Sequence, residues 1–217
     1  MSNKIVMEFG YLITKENNNY VYIRGDKKIE VPKGLIIEEL PILSINENVT
    51  EYFGIVLDPP IYVNEDEKIK VYVKLPLDIG IYVTNRAKYK LIDIIEIYPK
   101  KYALYGNIGN GVIYRYWKTS ASFEKINTNK HEALTAIEII NEAESIGAIS
   151  RIIFNFNNFS LFTIDDIICG ELIQLHRLKK GLAVVKLTNK PSLEGGKLIP
   201  TIPLKILGSE FEMRFGT

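Results

Sequence analysis

Residues able to do chemistry are concentrated in one stretch of this 217-residue chain, which runs Lys100-Lys101-Tyr102-Ala103-Leu104-Tyr105, then Gly106-Asn107-Ile108-Gly109-Asn110-Gly111, then Val112-Ile113-Tyr114-Arg115-Tyr116-Trp117. Arginine beside tryptophan and tyrosine is the composition of binding hot spots. If Val112 to Trp117 is extended, Arg115 and Trp117 share a face with Ile113, and Tyr114 and Tyr116 take the other. A guanidinium stacked on that indole would contribute about 0.5–2 kcal/mol, depending on exposure. Tyr105, Arg115, Tyr116 and Trp117, with Lys100 and Lys101 alongside, are therefore the candidate binding residues, suited to another macromolecule or to an anionic ligand. The competing reading packs the same rings into the core and pairs Arg115 with a buried acid such as Asp93. Gly106, Gly109 and Gly111 reverse the spacing of the dinucleotide fingerprint and lead into a strand, so no helix N-terminus is available to an anion. A turn built from Gly and Asn is expected there.

Other reactive types are isolated. His131 and His176 lack the His-x-His or His-Glu-x-x-His spacing that holds zinc, and the single Cys169 rules out an intrachain disulfide or a multi-thiolate cluster. No metal or cofactor is expected. Cys169, set in Ile167-Ile168-Cys169-Gly170, reads as a small core hydrophobe. Glu38-Glu39 and Asp165-Asp166 are adjacent acids, and neighbours on a strand point to opposite faces, so neither pair is by itself a general acid–base dyad. A solvated loop or a turn cap is the plainer reading of both.

The elements that must position these residues are strands. Period-two alternation recurs in short runs bounded by Gly, Pro, Asn and Asp. Ile69, Val71, Val73 and Leu75 fall on one face, while Lys70, Tyr72 and Lys74 fall on a wet one. Gly25-Asp26 is a Gly-first hairpin turn between Tyr20–Arg24 and Lys28–Val31, and a second hairpin joins Leu172–Leu178 to Leu182–Leu187. Leu91 to Ile97 is apolar on both faces and predicts a central, buried strand. Further strands are expected at Ile79–Val83, Val112–Trp117, Leu134–Asn141, Ile149–Phe156 and Phe211–Phe215. Asp58-Pro59-Pro60 and Leu75-Pro76 read as rigid corners between strands. One helical turn is expected, near Asp165-Asp166-Ile167-Ile168. The fold class is all-β, an antiparallel sandwich or barrel-like core with very little helix. Residues 1–217 form a single unit in the preferred reading; lobes 1–98 and 99–217, divided near Pro99-Lys100-Lys101, are the alternative.

Composition bounds the partners. Lys plus Arg (27) and Asp plus Glu (26) leave a net charge of +1, so no global field draws in nucleic acid or anionic membrane. Neither the opening Met1 to Glu8 nor any later apolar run is of signal-peptide or membrane-spanning length, which predicts a cytoplasmic protein. Abundant Lys and Glu, with Gln174 the one glutamine, is a thermophile tendency. Long β edges can pair between subunits, which predicts a symmetric homodimer.

Leu75-Pro76 followed by Ile79-Gly80-Ile81-Tyr82, then Lys101 to Gly106 and Gly111 to Trp117, resemble the archaeal domain of unknown function 432 family, over most of the chain. That family often has cysteine where Tyr114 stands, so a thiol role there is absent here. The resemblance implies archaeal ancestry and carries no activity. The preferred function is a non-enzymatic binding or assembly protein. The alternative is a metal-independent carbohydrate-active hydrolase or lyase using dispersed Asp and Glu, which needs two carboxyls on one cleft roughly 5–9.5 Å apart. Single-stranded nucleic-acid binding is a further alternative, disfavoured by the near-zero charge.

Overall fold

A computed structural model describes residues 3–6, 9–16, 19–156, 159–200 and 210–214. The described secondary structure is almost entirely strand, as the alternation predicts. Phe215 and residues 1, 2, 7 and 8 lie outside the described residues. No helix among the described residues is long and apolar enough to cross a membrane. The chain forms two compact units, one from Met1–Ile42, Asp78–Ile97 and Pro200–Ile202, the other from Leu43–Leu77, Tyr98–Ile199 and Pro203–Thr217.

Strands β1 (Asn3–Val6), β2 (Tyr11–Glu16), β3 (Asn19–Arg24), β4 (Lys27–Val31) and β5 (Ile36–Ile42) open the first unit. After β6 (Tyr52–Val63) and β7 (Lys68–Pro76) of the second unit, β8 (Asp78–Thr84) and β9 (Tyr89–Ile95) return to the first. The second unit continues with β10 (Lys101–Tyr105), β11 (Val112–Thr119), β12 (Glu132–Asn141), β13 (Gly147–Asn155), β14 (Leu161–Ile164), β15 (Ile167–Lys179), β16 (Leu182–Pro191), β17 (Lys197–Leu198) and β18 (Glu210–Met213).

In the first unit, β1-β2-β3-β4 form an antiparallel meander and β5-β8-β9 a three-stranded sheet. Tyr11, Ile13, Tyr22, Val31, Ile37, Ile81 and Ile95 meet in their shared core, each buried aliphatic or aromatic side chain contributing about 1.5–3 kcal/mol. Gly25 takes φ +53° in the β3–β4 turn, the left-handed angle that a Gly-first hairpin requires. The Leu91–Ile97 segment is not central: β9 is an edge strand of largely half-buried residues, and β8 holds the middle. The reason is Asp93. The Tyr22 hydroxyl donates to its Oδ2 at 2.5 Å, and Arg24 and Lys27 reach its carboxylate at 3.3 and 3.4 Å. Lys27 also donates to the Ile92 carbonyl at 2.7 Å and Arg24 to that of Ile94 at 3.0 Å, so the β3–β4 tip is laced to β9. Burial alone would raise the pKa of Asp93; hydrogen bonds from Tyr22 and Arg24, with the charges of Lys27 and Arg24, outweigh it and hold the carboxyl below its ordinary range. Burial and the Asp93 bond push the Tyr22 phenol up. Glu38 and Glu39 lie within β5, not in a loop.

The second unit contains the sheet β10-β11-β6-β13 and a larger sheet along β17-β14-β15-β12-β7, with β16 joined to β15 and β18 to β16. The sheets are mixed rather than wholly antiparallel: β11 runs parallel to β6, and β12 parallel to β15. Strands remote in sequence pair this way because intervening elements supply the crossover. No sheet among the described residues closes into a barrel. On β7, Val71, Val73 and Leu75 are buried as expected, but of Lys70, Tyr72 and Lys74 on the other face only Lys70 is exposed: Lys74 is half-buried and Tyr72 packs against the cluster of Leu134, Phe162, Cys169 and Leu193. Asp58-Pro59-Pro60 lies inside β6 and is no corner: the register with β13 shifts across it, between Ile149 and Arg151, and a bulge tolerates the missing proline N–H. Asp165 and Asp166 make no helical turn either. Their φ angles of +47° and +64° form the two-residue turn joining β14 to β15, a conformation Asp tolerates better than most residues. Cys169 is fully buried, and burial raises its thiol pKa.

Candidate functional site

Strands β10 and β11 pair antiparallel with Lys101 opposite Tyr116, Tyr102 opposite Arg115, Ala103 opposite Tyr114, Leu104 opposite Ile113 and Tyr105 opposite Val112. The Gly106–Gly111 connection is the expected Gly/Asn turn. Asn107 Oδ1 accepts from the Gly109 and Asn110 amides at 3.1 Å each, and its carbonyl accepts from the Gly111 amide at 2.7 Å. Those amides are satisfied inside the loop, which leaves no cradle for phosphate.

The backing of the hairpin is interior. Arg115 is 1% exposed; its Nη1 donates to the Ser44 carbonyl and its guanidinium lies over the Phe53 ring at 5.7 Å. The expected stack of Arg115 on Trp117 is therefore replaced by one on Phe53. The parallel register explains this, because Arg115 sits directly beside Phe53 on β6 and partners in register share a face. Pairing of Arg115 with Asp93 is likewise replaced, since that carboxylate is held by Tyr22, Arg24 and Lys27. Trp117 is half-buried against Tyr98, ring centroids 5.1 Å apart. Tyr105 is buried, and Tyr116 is half-buried with its ring 6.3 Å from that of Tyr114. A Cβ at Gly54 would clash with the Tyr114 ring, so glycine on β6 is what lets that ring pack against the strand. Lys101 is exposed and Lys100 half-buried.

The hairpin thus brings the predicted residues onto adjacent strands while dividing them by depth. What reaches solvent is an aliphatic set absent from the sequence-derived candidates: Leu104 (42% exposed), its cross-strand partner Ile113 (47%) and Ile108 at the tip (97%). The available signal was Ile108 itself, an isoleucine in a turn otherwise made of Gly and Asn, with no neighbouring apolar residue to bury it.

A cleft of about 500 Å³ in the second unit lies between the β14–β15 turn and the segments around Ile126 and Leu193. Leu134, Ile164 and Leu193 give it an apolar floor. Asp165 and Glu194, both exposed, line the same cleft with Lys125. None of the lining residues is aromatic, so a sugar ring would find no stacking platform. No group of three His, Cys, Asp or Glu among the described residues is placed to hold a metal ion.

No curated protein and no solved structure matches the chain. One family model does, over residues 7–214, nearly the whole length, and the chain belongs to that family, described as Protein of unknown function (DUF432).

Proposed function

We propose that this is a non-enzymatic binding and assembly protein that holds another macromolecule at the β10–β11 hairpin. One observation carries the reading: Leu104 and Ile113 are solvent-exposed opposite one another on a strand pair at the end of its sheet, and Ile108 is exposed in the turn that joins the two strands. A single exposed aliphatic is ordinary on a protein surface, but a contiguous set is the usual mark of a contact surface. Covering each of the three would contribute about 1.5–3 kcal/mol at most. Buried Tyr105 and Tyr114 on the opposite face, and buried Arg115 further along the same face, hold the pair rigid, so little conformational entropy is lost on association. In this reading buried Arg115 and Tyr105 support the surface, and Tyr116 and Trp117 flank it.

A photo-crosslinking side chain at Ile108 tests the reading in the cell that makes the protein, with the same group at Asp26 on the β3–β4 tip as control. A discrete protein adduct from position 108 and none from position 26 is expected. Equal labelling from both positions, or none from either, would overturn it.

A further inference from the structure

We infer that the macromolecule held at this hairpin is a second copy of the chain, joined antiparallel along β10 about a two-fold axis through Ala103. This rests on the assembly reading above and names its partner. Among the described residues β10 is the terminal strand of its sheet, and a terminal strand presents a row of backbone donors and acceptors to any strand that can approach.

The side chains of β10 select the register. Antiparallel self-pairing about one residue sets each position opposite the position equally far on the other side of the axis. With Ala103 at the centre, Ala103 meets itself, Tyr102 meets Leu104 of the other copy, and Lys101 meets Tyr105, each of the last two pairs occurring twice. All five residues of the strand are used, no like charges stand opposite one another, and the smallest side chain occupies the axis, where identical side chains come closest. Centring on Lys101 instead would oppose two ammonium groups, which is destabilising. Exposed Leu104 gains a half-buried tyrosine ring as its cross-strand neighbour, an aromatic–aliphatic pair of the kind that stabilises sheets. Ile113 shares the face of Leu104 one strand further from the axis, two strand spacings or about 10 Å from the incoming strand. The interface is isologous, each copy using one surface, and it closes as a dimer rather than growing into a fibre.

Two other strands show how the chain discourages such pairing elsewhere. β4 carries Lys28 and Glu30 as an exposed ion pair, and charge on an edge opposes docking of a second strand. The outer side of β7 is occupied at Tyr72, whose amide donates to the Ser122 carbonyl at 2.7 Å and whose carbonyl accepts from the Ser122 amide at 2.9 Å. β10 has one exposed charged residue, Lys101, at its end.

Charge reversal at the axis tests the inference. Sedimentation of the wild-type protein should give a dimer. Ala103→Glu and Ala103→Lys should each sediment as monomers with unchanged circular dichroism, because each opposes its own charge across the axis. An equimolar mixture of the two should return to a dimer containing one of each. Leu104→Lys, at a position already exposed, should be monomeric and folded, which guards against loss of folding at position 103. A monomeric wild type, dimeric single variants, or a mixture that stays monomeric would each overturn the self-pairing. If self-pairing fails while position 108 still crosslinks to a different protein, the hairpin remains the contact surface; if crosslinking also fails, both readings fall.

Discussion

The β3–β4 and β10–β11 hairpins are each two short antiparallel strands joined by a glycine-containing turn, yet they end differently. At the β3–β4 tip the long side chains are cations, and they bend back onto the chain itself, Arg24 and Lys27 reaching Asp93 and the carbonyls of Ile92 and Ile94. At the β10–β11 tip the large side chains are aliphatic, and Leu104, Ile108 and Ile113 stand in water. The first hairpin closes its own unit by spending its tip on internal partners. The second is held on both faces, by Arg115 over Phe53 on one and Tyr114 against Gly54 on the other, and its aliphatic tip is exposed. A hairpin anchored at its base and apolar at its end is equipped to carry a contact.

The contrast can be broken first at the anchor. Arg115→Met should destabilise the second unit by about 3 kcal/mol, because it strands a buried carbonyl and removes a buried cation from its surroundings. Trp117, the one tryptophan, reports unfolding of that unit in urea. A loss below about 1 kcal/mol, the size of an ordinary surface change, would show that Arg115 does not anchor the hairpin. Gly54→Ala should cost about 1–3 kcal/mol by overpacking against Tyr114, and the same urea titration reads it; no change in midpoint would mean that the ring does not rest on the strand.

How much of this was legible in the sequence depends on the range of the interaction. Alternation at Ile69 to Leu75 and the turn at Gly25-Asp26 are local, and both strand and hairpin are found where the residues place them. Alternation also places Tyr114, Arg115 and Trp117 on a strand, but depth on that strand is decided by β6, some sixty residues earlier in the chain, which pairs in parallel and lays Phe53 beside Arg115. Nothing in the spacing of Val112 to Trp117 encodes that neighbour. Apolar residues on both sides of Asp93 suggested a central strand, because the Tyr22, Arg24 and Lys27 that neutralise this acid at an edge lie about seventy positions away. The Asp165-Asp166 turn is ambiguous in sequence for a local reason: two aspartates open a helix as readily as they fill left-handed turn positions, and only the flanking pairing of Ile164 with Ile167 separates the two.

The internally pinned hairpin gives the next effect in size. Asp93→Asn should cost about 2 kcal/mol, since it removes a largely buried, charge-assisted acceptor from three donors. The sign with pH follows from the lowered pKa of Asp93. Its contribution is complete above the unfolded carboxyl value of about 4 and is lost as pH falls through the lower folded value. Thermal unfolding of wild type and variant should therefore differ at neutral pH and converge in acid; a gap that widens in acid would contradict the assignment.

The smallest effect on stability belongs to the free tip. Leu104→Lys with Ile113→Glu, opposite charges on directly paired positions, should move the unfolding free energy by no more than about 0.5 kcal/mol, as surface substitutions do, while abolishing association measured by light scattering. A large loss of stability would mean that these side chains serve the fold instead of a partner.

Hydrogen exchange across a concentration series tests most directly whether the aliphatic hairpin is where another chain attaches. Amides of residues 101–105 should become protected as the protein is concentrated, while those of residues 27–31 on the charged edge exchange at an unchanged rate. Exchange at residues 101–105 that ignores concentration, or protection that arises at residues 27–31 instead, would contradict it.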